Sequence, residues 1–399
     1  MKHWLFVLGL LCCHGASAED TLHLYNWNNY ISAETVERFE KSCKCKLVQD
    51  YYGDNEEMLA KLAAGATGYD LLVPTQNAVD SLIKQNALRP LDKPLLPNLK
   101  NIQPEYLNRD FDPGNKYSVP YAYSITVIGY NEQKMQELGL PTDTWAVIFE
   151  PEYLIKVKGR VTVLDSQREL MAAAMRYLGY SINDTDEEKW KQARDLIIRA
   201  KPYWAAFNAQ SYIKELTVGN IWFAHGYSSD FFQAALDAKK AQRKFTINWR
   251  IPKEGAVIGM DNMVIHKSGP RPDLAHKFIN FMLEGENSAE LTNLIGAGNP
   301  NAAALPYIKP EIAQNPAIFP DPETIKHLEF MKDLDRKQRR VMSRMWTEIK
   351  LKQGEDDGLF WKALAALLGL AALTVLAHAA YRRFTTTQIS SGGKSTIST

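Results

Sequence analysis

The chain has 399 residues, 45% of them hydrophobic, and its 47 Lys+Arg stand against 46 Asp+Glu. Residues 19–358 alone carry 42 basic and 46 acidic side chains, a slightly acidic body that suits cations and argues against a nucleic-acid partner. That body exceeds the usual single domain and predicts two lobes.

Met1–Ala18 reads as a secretory signal, with Lys2 at its start, an apolar run from Trp4 to Cys13 and a small-x-small cleavage site at Ala16-Ser17-Ala18. Cys12 and Cys13 leave with it, so the mature chain keeps Cys43 and Cys45. Those two are either free thiols or a local disulfide, and a C-x-C without a partner pair is a poor zinc site.

Directly behind the signal stands Leu24-Tyr25-Asn26-Trp27-Asn28-Asn29-Tyr30-Ile31, a strand that turns into a helix. Trp27 and Tyr30 offer two aromatic faces, with small polar groups between them. Ring faces attract ammonium groups, and ligands of open α/β sheets sit at the carboxyl ends of strands. An aromatic pair met in isolation is more often core, so the assignment depends on the remainder of the chain.

Helical and extended patterns then alternate. A helix is predicted over Ala33–Ser42, a strand over Cys45–Tyr52 and a helix over Asp54–Ala64, where Asp54 and Glu57 have capping-box spacing. A buried strand at Tyr69–Pro74 and a helix at Asn77–Gln85 complete a β-α-β-α order that implies a mostly parallel sheet. Tyr117–Asn131 is too long for one ordinary strand and is expected to cross between lobes. A new α/β series begins at Gly159–Leu164, and a second crossing is expected at Thr246–Ala256. Beyond the acidic linker 354–358, the uncharged run Ala363–Tyr381 would rise about 28 Å as a helix. It predicts a transmembrane helix over 359–381 with Arg382 and Arg383 on the cytoplasmic side. The last residues, 382–399, form a short polar tail with no output domain.

Five segments carry a resemblance: Tyr25-Asn26-Trp27-x-x-Tyr30, Gly68–Pro74, Asp112-Pro113-x-Asn115–Tyr121, Trp249-x-Ile251–Ala256 and Pro320–Ile325. In that order and spacing the chain resembles the periplasmic polyamine-binding proteins, the substrate-binding components of putrescine and spermidine importers, over most of residues 20–350. It is most similar to the putrescine-binding branch. The resemblance implies an α/β, two-lobed periplasmic-binding-protein clamshell (type II) with two crossing strands, here followed by the C-terminal transmembrane helix. One lobe would comprise 19–125 and 251–305, the other 126–250 and the C-terminal helices of 306–353. The ligand would lie between them.

Carried over position by position, the resemblance implies that Trp27 and Tyr30 form an aromatic wall, with Asn28 and Asn29 between them. The second of those positions is usually acidic in the family. Thr75 matches a small hydroxyl residue, Glu169 a carboxylate that takes an amine, Tyr227 a position held by Trp, and Asp230 and Asp261 two further carboxylates. Glu169 also fits a helix cap, because Ser166-x-x-Glu169 has capping-box spacing. Gly259 and Ala297 stand where the family has aromatic residues. That absence predicts a pocket that is either wider or filled by water or by other side chains, in which putrescine binds poorly and a bulkier or differently spaced cation binds better.

The function expected is thus a membrane-anchored periplasmic receptor that closes on a polyamine-like cation and passes it to an ABC permease and ATPase on other chains. The alternative is a sensory subunit that regulates a membrane-bound signalling partner. An enzyme is not expected: the chain has no Gly-x-Ser-x-Gly elbow, P-loop or His-Glu-x-x-His. His225 reads as a structural residue, and neither a cofactor nor a metal is called for.

Overall fold

The computed structural model describes residues 20–352. Its strands are β1 (Thr21–Trp27), β2 (Lys46–Tyr52), β3 (Leu71–Leu72), β4 (Ser118–Asn131), β5 (Val161–Val163), β6 (Ala206–Phe207), β7 (Phe223–Tyr227), β8 (Ile247–Arg250), β9 (Ala256–Ile265) and β10 (Leu328–Phe330). The order across the sheets is β2-β1-β3-β9-β4-β7-β5-β6, with β10 on β9 and β8 on β4.

β1 runs parallel to β2 and β3, as β-α-β connections require. The helix Ala33–Cys43 is capped by Ser32, whose hydroxyl accepts from Thr35 N. Between β2 and β3 the helix Asn55–Ala63 is capped by Asp54 in the same manner. The strand expected at Tyr69–Pro74 is regular only at Leu71–Leu72.

β4 joins the two lobes. From Ser118 to Ile125 it pairs antiparallel with β9, and from Thr126 to Tyr130 it pairs with β7. The ladder with β9 shifts register between Pro120 and Ala122, because proline has no N–H to give it. The return passes from β8, paired with β4 in the second lobe, into β9 in the first. A third connection runs through β10 to the helix Arg336–Leu351, which packs on the helix Glu187–Ala200. Cys43 and Cys45 are joined by a disulfide with Cα atoms 5.2 Å apart, which decides between the two states left open by the sequence.

One part of the expected fold class is corrected. The two-lobed α/β architecture is present, but the C-terminal transmembrane helix has no support: among the described residues no helix is long and apolar enough to cross a membrane. The apolar run expected to form it, the tail behind it and the signal at 1–18 lie outside the described residues.

Candidate functional site

The first half of the site is built at the carboxyl ends of β1 and β3. Trp27 closes β1, and the chain turns through exposed Asn28 and Asn29. Asn29 sits at φ 56°, a left-handed conformation that asparagine tolerates better than most residues. The Trp27 indole N–H donates to Val73 O at 2.9 Å, and the Tyr52 hydroxyl donates to the same carbonyl at 2.6 Å. The two rings meet 4.6 Å apart, so the Trp27 face is fixed from behind.

Tyr30 turns back from the loop and donates its hydroxyl to Asp261 Oδ2 at 2.5 Å. Its ring meets Tyr121 edge-on at 6.0 Å. Thr75 stands at the N-cap position of the helix Gln76–Lys84 but makes no side-chain cap. Its hydroxyl instead donates to Asp261 Oδ1 at 2.8 Å and accepts from Asn55 Nδ2 at 3.1 Å. A cap would stabilise the helix by about 1 kcal/mol, so here the side chain serves the carboxylate in its place.

The second half belongs to the other lobe. Glu169 lies in the first turn of the helix Gln167–Tyr177, which Ser166 caps through Glu169 N. The Glu169 carboxylate does not close a capping box; its Oε2 accepts from the Thr126 hydroxyl at 2.7 Å. Tyr227 ends β7 and leads into the helix Ser228–Lys240, whose first turn carries Asp230. Asp230 accepts from the buried Tyr212 hydroxyl, which also receives Tyr227 N at 3.4 Å. Ser228 Oγ accepts from Ile125 N, and Ser229 bonds Ser124 at 3.1 Å, which ties this turn to the point where β4 crosses.

The electrostatics follow from that geometry. Among the described residues, the hydrogen-bond donors to the Asp261, Asp230 and Glu169 side chains are hydroxyls alone, and none of the three forms an ion pair. Loss of hydration pushes Glu169 up to about 7, and Asp230 and Asp261 up to about 6. Burial holds the Tyr227 phenol well above its ordinary range, reinforced by the charges of Glu169, Asp230, Glu56 and Asp261. That phenol therefore lies among carboxylates contributed by both lobes.

Of the residues predicted from the sequence, the structure brings Trp27, Tyr30, Thr75 and Asp261 together on one lobe. Glu169, Tyr227 and Asp230 gather on the other, while Asn28 and Asn29 remain exposed on the turn. Sequence reasoning missed Tyr52, Asn55, Glu56, Tyr121, Thr126 and Tyr212. Most of these hold another residue in place, a role that leaves no motif. Tyr52 alone carried a signal, as the aromatic end of the strand beside β1. His225 is buried and pushed down to about 3, with Nδ1 accepting from Leu164 N at 3.3 Å. A neutral, inward-turned imidazole fits the structural reading. A separate cavity of about 640 Å³ lies beside β10, lined by Gln76, Tyr106, Arg109 and Phe330 among others, and it includes none of the predicted site residues.

Two lobes joined by crossing strands each carry aromatic and acidic side chains at their strand ends, and residues 34–320 match the bacterial extracellular solute-binding proteins. The chain belongs to that family. Its members are receptors for solutes, not catalysts. The chain is 56% identical to the putrescine/cadaverine-binding protein of Pseudomonas aeruginosa, over 88% of this chain and 100% of that one. It is 36% identical to the putrescine-binding periplasmic protein PotF of Escherichia coli, over 84% and 92% respectively. Among solved structures it superposes with a TM-score of 0.75 on the spermidine/putrescine substrate-binding protein PotD of Streptococcus pneumoniae, at 29% identity, covering 84% of this chain and 99% of that one.

Proposed function

We propose that this chain is a periplasmic receptor that captures a short diamine between its lobes and delivers it to an ABC importer. The observation that carries the reading is the set of Glu169, Asp230 and Asp261, drawn from both lobes, braced by hydroxyls and in no ion pair of the described residues, with only the charge of Arg168 acting on Glu169. Half-buried carboxylates that only hydroxyls brace carry a desolvation cost. A ligand with an ammonium at each end answers the charge on both lobes at once, and only when the lobes are closed. The names of the relatives, putrescine/cadaverine-binding among them, point to the same ligand class. No observation favours the sensory alternative.

The ligand's size follows from the two positions that lack a ring. Ala297 is fully buried. Its neighbours Gly296 and Gly298 abut the rings of Phe232 and Tyr123, so the surroundings of Ala297 are already filled. Gly259 is different. A Cβ placed there would meet nothing nearer than Thr75 Cγ2 at 3.7 Å, and it shares a face of β9 with Asp261. A side chain longer than hydrogen is therefore tolerated at Gly259 and not required to fill a core, and together with the relatives' names this supports a diamine of four or five carbons over the bulkier cation expected from the sequence.

Titration calorimetry of the protein against putrescine, cadaverine, spermidine, agmatine and arginine tests this. Binding of the two diamines ahead of the others is the expected result, and silence toward both would sink the reading. Gly259→Phe should fold, because a Cβ there meets only ordinary contacts and the strand backbone suits any residue, which thermal unfolding of the variant checks. It should weaken cadaverine more than putrescine, by about tenfold in the ratio of affinities, the low end for one methylene. An unchanged ratio would show that the Gly259 space does not face the ligand.

A further inference from the structure

We propose that Phe232 and Gly296 act as a stop between the lobes, fixing the distance between the two half-sites and with it the length of diamine accepted. This rests on the diamine reading above. Gly296 follows the helix Gly285–Ile295 in the left-handed region, at φ 69°, with its N–H on Thr292 O. Helix termination alone would account for a glycine there. The surroundings add a second reason: a Cβ at 296 would lie 2.3 Å from Phe232 Cγ, 2.5 Å from Cδ1 and 2.6 Å from Cβ. The ring of one lobe is seated directly on the backbone of the other.

Both sides of that contact lead by short, stiff routes to the carboxylates. Phe232 lies two residues beyond Asp230 on the helix Ser228–Lys240, so the ring and the carboxylate move as one. On the other side, Glu290 of the helix Gly285–Ile295 accepts from Ser32 Oγ at 2.9 Å and from the Thr35 hydroxyl, and pairs with Arg38 at 2.7 Å. Ser32 caps the helix that follows Tyr30, and Tyr30 holds Asp261. The seat of Phe232 on Gly296 is thus linked to Asp230 in one lobe and to Asp261 in the other. Packed interiors transmit displacement with little compression. Thickening the contact should therefore part the half-sites, and thinning it should let them approach.

The test is calorimetry of the full-length chain against 1,3-diaminopropane, putrescine and cadaverine. Gly296→Ala should shift the putrescine-to-cadaverine affinity ratio toward cadaverine by about tenfold. Gly296→Ala with Phe232→Ala removes the ring that the new methyl strikes, and the ratio should return to its original value or pass beyond it toward putrescine. Phe232→Ala alone needs no left-handed alanine, and it should favour 1,3-diaminopropane. Proportional losses for all three diamines would make the contact merely structural and overturn the proposal. So would a double variant whose ratio stayed shifted toward cadaverine, since strain at residue 296 would then be the cause. If the unaltered chain bound no diamine, the diamine reading itself would fall and take this inference with it, an outcome distinct from normal binding with an unmoved ratio.

Discussion

Asp261→Asn should abolish diamine binding while leaving the unliganded fold intact. Removing one partner of a buried, hydrogen-bonded charge pair costs about 2–5 kcal/mol, or about thirtyfold to several thousandfold in affinity. The fold should survive because the asparagine is nearly isosteric, and because Asp261 is held by hydroxyls and not by a cation of the described residues. Its carbonyl oxygen still accepts from Tyr30, and the Thr75 hydroxyl rotates to accept from the new amide. Asp261 is held up to about 6 by loss of hydration, so removing its charge should raise the melting temperature of the empty protein slightly. Calorimetry and thermal unfolding measured together decide the matter. Unchanged affinity, or a variant that does not fold, would remove Asp261 from the ligand's partners.

How much of this was legible in the sequence depends on what each residue does. Trp27 and Tyr30 alone read more readily as core and gained their assignment only from the remainder of the chain, whereas Tyr117–Asn131 stood out because no ordinary strand is that long. Asp261 was found through family resemblance, and its surroundings explain why pattern alone falls short. Its partners Tyr30 and Thr75 lie 231 and 186 residues away along the chain, and no local spacing reports such a meeting. Glu169 shows a competition that the sequence left undecided. Its spacing from Ser166 suits a capping box, and only the position of Thr126 draws the carboxylate away from it. Ala297 left a choice that the sequence could not make, between an open space and one filled by other side chains. Phe232, from the other lobe, lies against Gly296 and favours the second. The membrane span was read from an uncharged run of bilayer length between an acidic linker and Arg382–Arg383, and no helix among the described residues is long and apolar enough to cross a membrane.

Ligand capture should strengthen steeply between pH 5 and pH 8. In the empty receptor Glu169 is pushed up to about 7, and Asp230 and Asp261 up to about 6. Raised carboxylates favour the folded state below their ordinary range near pH 4, and that contribution is lost as pH rises through 6 and 7. Above pH 7 the unliganded protein holds three half-buried negative charges, of which Glu169 alone has a cation, Arg168, acting on it, and a dication relieves them. At pH 5 the same groups are protonated, and the ligand must displace those protons before it can pair. Two units below its pKa, Glu169 alone would weaken binding by about a hundredfold, and the aspartates add to this. The rise in melting temperature on adding putrescine should therefore be largest at pH 8 and small at pH 5, although the diamine stays fully charged across that range. Calorimetry in two buffers of different ionisation enthalpy at pH 6.5 should also show protons released on binding. A thermal shift that is flat from pH 5 to pH 8, with no proton release, would mean that these carboxylates already carry their charge in the empty receptor. The hydroxyls of Tyr30, Thr75, Thr126 and Tyr212 would then supply the stabilisation otherwise assigned to the ligand.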